Sequence, residues 1–175
     1  MPTAEDQSWI RDAIARYEGP LLRYAAGLTR DRERARDVVQ DTFMRLCRAE
    51  RAAVERRLAP WLYTVCRNRA IDVCRKEGRM GSTTDEAAVI GHEAEPAAAV
   101  EARETHSRAL DLIGRLPDKQ REVIRLKFQS GLTYAQIAEV TSLSVSHVGV
   151  LIHHGMKTLR GRMGALASDA RGTGS

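Results

Sequence analysis

The segment LTYAQIAEVTSLSVSHVGVLIHHGMKTLR, Leu132 to Arg160, holds two helix starts eleven residues apart, at Thr133 and Ser144. Thr133 followed by Gln136 at the third helical position has the capping-box pattern, in which each side chain satisfies a backbone N–H left unpaired by the first turn. A short helix over Tyr134–Val140 is expected. Thr141, Ser142 and Leu143 then supply a turn, and Ser144 caps a longer helix whose inward stripe is Val148, Ile152, Met156 and Leu159. Its outward face carries Ser146, His147, Gly149, Val150, His153, His154 and Lys157. A short helix, a tight turn and a second helix with a polar exposed face make the helix-turn-helix arrangement, whose second helix enters a DNA major groove. An ordinary helical hairpin has the same outline; the apolar Ile137-Ala138 pair, the small turn residues and the two caps favour DNA binding.

Working outward, helical periodicity dominates the rest of the chain. Ile10, Ile14, Tyr17, Leu21, Tyr24 and Leu28 alternate three and four apart, with Gly19-Pro20 expected to break or kink that helix. After Asp31 a second amphipathic helix places Ala35, Val38, Val39, Thr42, Phe43 and Leu46 inside and Asp37, Gln40 and Asp41 outside. A third helix is expected from Pro60, at the first position where proline is favoured, to about Lys76. It is apolar enough to pack on more than one side: Trp61, Leu62, Tyr63, Val65, Cys66, Ala70, Ile71, Val73 and Cys74. Residues 78–96, rich in Gly, Ser, Thr and acidic side chains, read as a flexible linker. Helical pattern resumes with Val100, Leu110, Ile113 and Leu116, stops at Pro117, and restarts at Asp118 with Val123, Ile124, Leu126 and Phe128 before ending at Gly131. The fold class is therefore all-α, as two small helical domains, 1–80 and 104–162, joined by an acidic linker, 81–103, and followed by a disordered tail, 163–175.

The chain has 175 residues, of which 43% are hydrophobic and 29% charged, so it can bury a core and is neither a disordered polyelectrolyte nor a membrane protein. Its formal charge of +5 is unevenly spread. Residues 1–80 hold 17 basic and 12 acidic side chains, 81–103 hold one against five, and 104–160 hold eight against five. Two basic lobes flank an acidic connector, which suits a polyanionic partner gripped at two places. The start, MPTAEDQSW, lacks a basic cluster with an apolar run behind it, and no stretch approaches the roughly 18 apolar residues of a membrane span. A soluble, cytoplasmic protein with no membrane insertion is expected. Cys47, Cys66 and Cys74 have neither CxxC spacing nor a nearby His, so they read as small buried core residues, with no metal site or cofactor suggested.

Three residue groups stay open on residue types alone. Arg67, Arg69, Arg75, Lys76 and Arg79 form either a solvated face or, with Trp61 and Tyr63, a surface that stacks and neutralises single-stranded nucleic acid. Asp37, Gln40 and Asp41 read as a solvated helix face; no His, nucleophile or phosphate-cradling loop accompanies them, so catalysis has little support. His153 and His154 are adjacent, about 100° apart around a helix, and do not chelate one metal as an i, i+4 pair does.

Asp31–Phe43 (DRERARDVVQDTF), Trp61–Asp72 (WLYTVCRNRAID), Leu116–Ile124 (LPDKQREVI) and the helix-turn-helix, in that order, resemble the bacterial extracytoplasmic-function (ECF) RNA polymerase sigma factors. The resemblance covers about Ile10 to Arg160 and implies sigma region 2 in the first domain and sigma region 4 in the second. It implies that Asp37, Gln40 and Asp41 dock on the beta and beta-prime subunits of core RNA polymerase. It further implies that Trp61, Arg67, Asn68, Arg75, Lys76 and Arg79 melt and hold the minus-ten promoter DNA, and that Ser144, Ser146, His147, Val150, His153, His154 and Lys157 read the minus-thirty-five element as duplex. No enzymatic activity is implied, and an anti-sigma partner is expected. The recognition helix departs from the family habit of basic and hydroxyl side chains, having Gly149, Val150, Leu151 and His154. Its specificity is expected to rest more on DNA shape and backbone contacts. The reading from another class is a free-standing helix-turn-helix regulator that binds a duplex operator.

Overall fold

The computed structural model describes residues 4–76, Gly78 and 107–172, and among these no strand occurs. The first unit opens with α1 (Ala4–Thr29), which runs through Pro20 where a break or kink was expected. Proline removes one intrahelical bond. The burial of Leu21, Tyr24 and Ala25 on the following turns keeps the helix continuous. Arg30, with φ of 54°, turns the chain into α2 (Arg32–Arg48), whose start is capped by the Asp31 carboxylate accepting from the Arg34 N–H at 3.0 Å. The buried face of α2 is Ala35, Val38, Val39, Thr42, Phe43 and Leu46, as its periodicity predicts. A single turn, α3 (Arg51–Val54), and a 3-10 turn over Glu55–Arg57 lead into α4 (Leu58–Lys76). Pro60 is thus the third residue of its helix, where the predicted position was the first. Its missing N–H still falls in the turn whose donors have no intrahelical partner.

The second unit contains α5 (107–114) and α6 (Asp118–Ile124), followed by a π turn over Arg125–Gln129. The wider turn keeps Leu126 in the core and leaves Phe128 58% exposed. Gly131, with φ of +69°, then reverses the chain, and the Leu132 N–H returns to the Leu126 carbonyl at 3.1 Å. Next come α7 (Tyr134–Thr141) and α8 (Val145–Gly172). The α7 helix ends one residue later than expected, and Ser142 adopts the left-handed conformation that closes the turn. The α8 helix continues to Gly172 across most of the segment expected as a disordered tail. Met163, Ala165, Leu166, Ala167 and Ala170 are helix formers that extend a helix already nucleated. The expected linker, 81–103, and Val100 lie outside the described residues.

One apolar cluster runs from α1, α2 and α4 into Val123, Leu126, Ile137, Val140, Val148 and Ile152, so the two units share a core. A smaller cluster of Leu112, Leu116, Ile124 and Leu159 pins α8 to α5 and α6. Here α8 passes close to α6 at Gly155, where a Cβ would overlap the Ile124 side chain. Of the cysteines, Cys66 is buried and Cys74 partly so, but Cys47 is exposed: it follows buried Leu46 by one residue, about 100° around the helix. Among the described residues, no single helix is long and apolar enough to cross a membrane.

Candidate nucleic-acid interface

The α7 and α8 axes meet at 103°, within the range of DNA-binding helix-turn-helix units. Both starts are capped as their sequence predicts. The Gln136 N–H donates to the Thr133 hydroxyl at 3.2 Å and the Thr133 N–H to the Gln136 side chain at 2.9 Å, while the His147 N–H donates to the Ser144 hydroxyl at 3.1 Å. Val148, Ile152 and Leu159 are buried and Met156 partly so, which fixes the rotation of α8. Ser144, Ser146, His147, Val150, His153, His154 and Lys157 are consequently all exposed on its other side. The His153 and His154 rings meet edge to face at 5.9 Å. Val150 is 51% exposed and Val145 also projects outward, so the face has an apolar component suited to thymine methyls. Tyr134 belongs beside this surface, under the Lys127 ammonium at 5.3 Å and next to Gly149, although its sequence position marks it only as the first residue of α7.

In the first unit, Asp37 and Gln40 are exposed on α2. Asp41, half-buried, accepts from the Arg69 guanidinium at 2.6 Å, so one acid of the expected polymerase-docking trio is tied to α4. Asn68, Arg75 and Lys76 are exposed along α4, and Arg79 lies outside the described residues. Trp61 is only partly exposed because it packs on the core, which limits it as a stacking platform.

Arg67 is not on the open face with the others. Its Nε donates to Glu122 Oε1 at 2.7 Å and its Nη2 to Oε2 at 3.4 Å, and the Tyr24 hydroxyl donates to the same Oε1 at 2.8 Å. Burial works against the charge of Arg67, but the hydrogen bond and charge of Glu122 outweigh it and hold the guanidinium above its ordinary range. Burial first, and then the Glu122 carboxylate, push the Tyr24 hydroxyl well above its ordinary value. Glu122 and Tyr24 are not legible as a pair, because 98 positions separate them. Among the described residues, no group of His, Cys, Asp and Glu is arranged to hold a metal ion.

Comparison with known proteins agrees with this geometry. The family model of Sigma-70 region 2 matches residues 13–80, and that of Sigma-70 region 4 matches residues 106–159. The ECF RNA polymerase sigma factor SigM of Bacillus subtilis is 26% identical over 156 residues, covering 86% of this chain and 93% of that one. SigW of the same organism is 27% identical, covering 89% of both. The chain belongs to the ECF RNA polymerase sigma factors. This sigma factor also shares its fold with the sigma factor RpoE of Bartonella quintana, solved in complex with the anti-sigma factor NepR. There the TM-score is 0.60 at 22% identity, covering 86% of this chain and 95% of that one. The family makes this sigma factor a transcription initiation factor, and the region 2 match over residues 13–80 sets aside the free-standing regulator.

Proposed function

We propose that this sigma factor docks on the beta and beta-prime subunits of core RNA polymerase through Asp37, Gln40 and Asp41, holds opened minus-ten DNA along α4, and reads minus-thirty-five duplex with α8. The observation that carries this reading is the capped 103° helix-turn-helix, whose buried stripe turns the seven expected base- and phosphate-facing side chains outward together. On α4 the contacts are Trp61, Asn68, Arg75 and Lys76, with Arg67 once it is free of Glu122, and Arg79 beyond the described residues. Unstacking bases costs a few kcal/mol, which cations along the phosphates and a preformed surface offset.

The protein performs no chemistry of its own; the polymerase supplies the catalysis. It acts in the cytoplasm, where polymerase and promoter DNA are, and an anti-sigma protein holds it inactive as NepR accompanies RpoE. The domains divide at 81–103, the acidic stretch between two basic lobes. The test is transcription from a promoter library with purified chain and core polymerase. Transcripts that require both components are expected; tight binding to duplex DNA alone, with no core-dependent transcript, overturns the reading.

A further inference from the structure

Arg67 and Glu122 belong to different sigma regions, yet their side chains are only 23% and 13% exposed because each covers the other. The pairing is two-pronged, Nε and Nη2 against the two carboxylate oxygens, which is the way a guanidinium also takes a phosphate. Tyr24 adds a third hydrogen bond from α1 to the same carboxylate, and its ring stands edge to face with Tyr63 at 5.2 Å. Two further contacts cross at the same seam. The Arg125 guanidinium from the π turn lies over Gly27 of α1, where any Cβ would overlap it. Arg57, just before α4, pairs with Glu139 of α7.

We propose that Glu122 is an internal stand-in for a DNA phosphate: by occupying Arg67 it latches the two sigma domains together in the free chain and masks a minus-ten contact until the domains part. The masking half rests on the reading of Arg67 as a DNA contact; the latch itself rests only on the seam. Three features make the seam a built contact. A carboxylate removed from water needs every lone pair engaged, and Glu122 has donors from two helices of the other domain. Gly27 leaves the space that Arg125 fills, and a side chain there would meet no other residue of its own domain so closely. The apolar cluster continues beneath, from Tyr63 and Ala70 to Leu126 and Ile137. Closure and promoter engagement are therefore exclusive at Arg67, since one guanidinium fork cannot serve Glu122 and a phosphate at once.

The experiment uses the full chain carrying Cys74→Ser and Gly161→Cys, with a fluorophore pair on exposed Cys47 and on position 161 reporting the distance between domains. Its second readout is binding of a labelled single-stranded DNA of about 12 nucleotides, the span of an ordinary single-strand site. Glu122→Gln keeps the shape and removes the charge; Gly27→Leu displaces Arg125 without touching the Glu122 network and favours the helix it sits in. Both variants are expected to lengthen the distance and to raise DNA affinity by roughly tenfold, the scale of one charge-assisted hydrogen bond. Adding Arg67→Ala to either is expected to cancel the gain in affinity but not the lengthening. Unchanged distances in both variants, with circular dichroism showing them folded, overturn the latch. Lengthened distances without a gain in DNA binding overturn Arg67 as a DNA contact, and the masking with it, while leaving the closure in place.

Discussion

At the scale of single residues, environment separates side chains that composition treats alike. Burial pushes the Cys66 thiol up to about 12, while Cys47 stands exposed on α2. The reactive species is the thiolate, so at pH 8 a maleimide should modify Cys47 within minutes and leave Cys66 untouched until the chain unfolds. Peptide mapping after labelling reads this, and equal labelling of both in the native protein would contradict it. Because the folded value is raised, protonated Cys66 contributes its stability below the ordinary thiol range and loses it as pH climbs toward 12. Lys157, exposed on α8, is expected to contact backbone rather than bases. Lys157→Ala should weaken promoter binding about equally across minus-thirty-five sequences and lower the salt slope by about one. A selective loss of discrimination at an unchanged slope would show that it reads a base. Asp41's bond to Arg69 is not legible from periodicity, which assigns a face but not its neighbours.

At the scale of elements, caps and packing stripes carried most of the information. The buried faces of α2 and α8 and both caps of the helix-turn-helix follow from spacing and side-chain chemistry, because those interactions close within four residues. What spacing missed has a tertiary cause: α1 survives Pro20 because its following turns are buried, and α8 outruns its expected end. Two substitutions probe the element scale separately. Thr133→Ala removes one bond of the capping box and should cost about 1 kcal/mol. Gly155→Ala drives a methyl into Ile124 at the α6–α8 crossing and should cost about 1–3 kcal/mol, despite alanine's better helix propensity. Urea unfolding measures both. A Gly155→Ala protein as stable as the parent would mean that the crossing relaxes freely.

At the scale of the whole molecule, the seam between the sigma domains has its own titration signature. Burial, and after it Glu122, hold the Tyr24 hydroxyl well above its ordinary value, so Tyr24 supports the closed form below about pH 10 and stops doing so as pH rises through its raised value. A difference titration of phenolate absorbance between the parent and Tyr24→Phe should place Tyr24 above that ordinary value, and Glu122→Gln should move it down. No downward movement would mean that Glu122 does not act on Tyr24 across the seam. By itself the sequence determined the all-helical class, the helix-turn-helix and the outward face of α8, since short-range spacing, capping and charge encode these directly. Only the tertiary structure decided that Arg67 faces Glu122 and Tyr24 instead of solvent, and that Gly27 makes room for Arg125. Such contacts join residues 55 and 98 positions apart, and no local periodicity carries information over that distance.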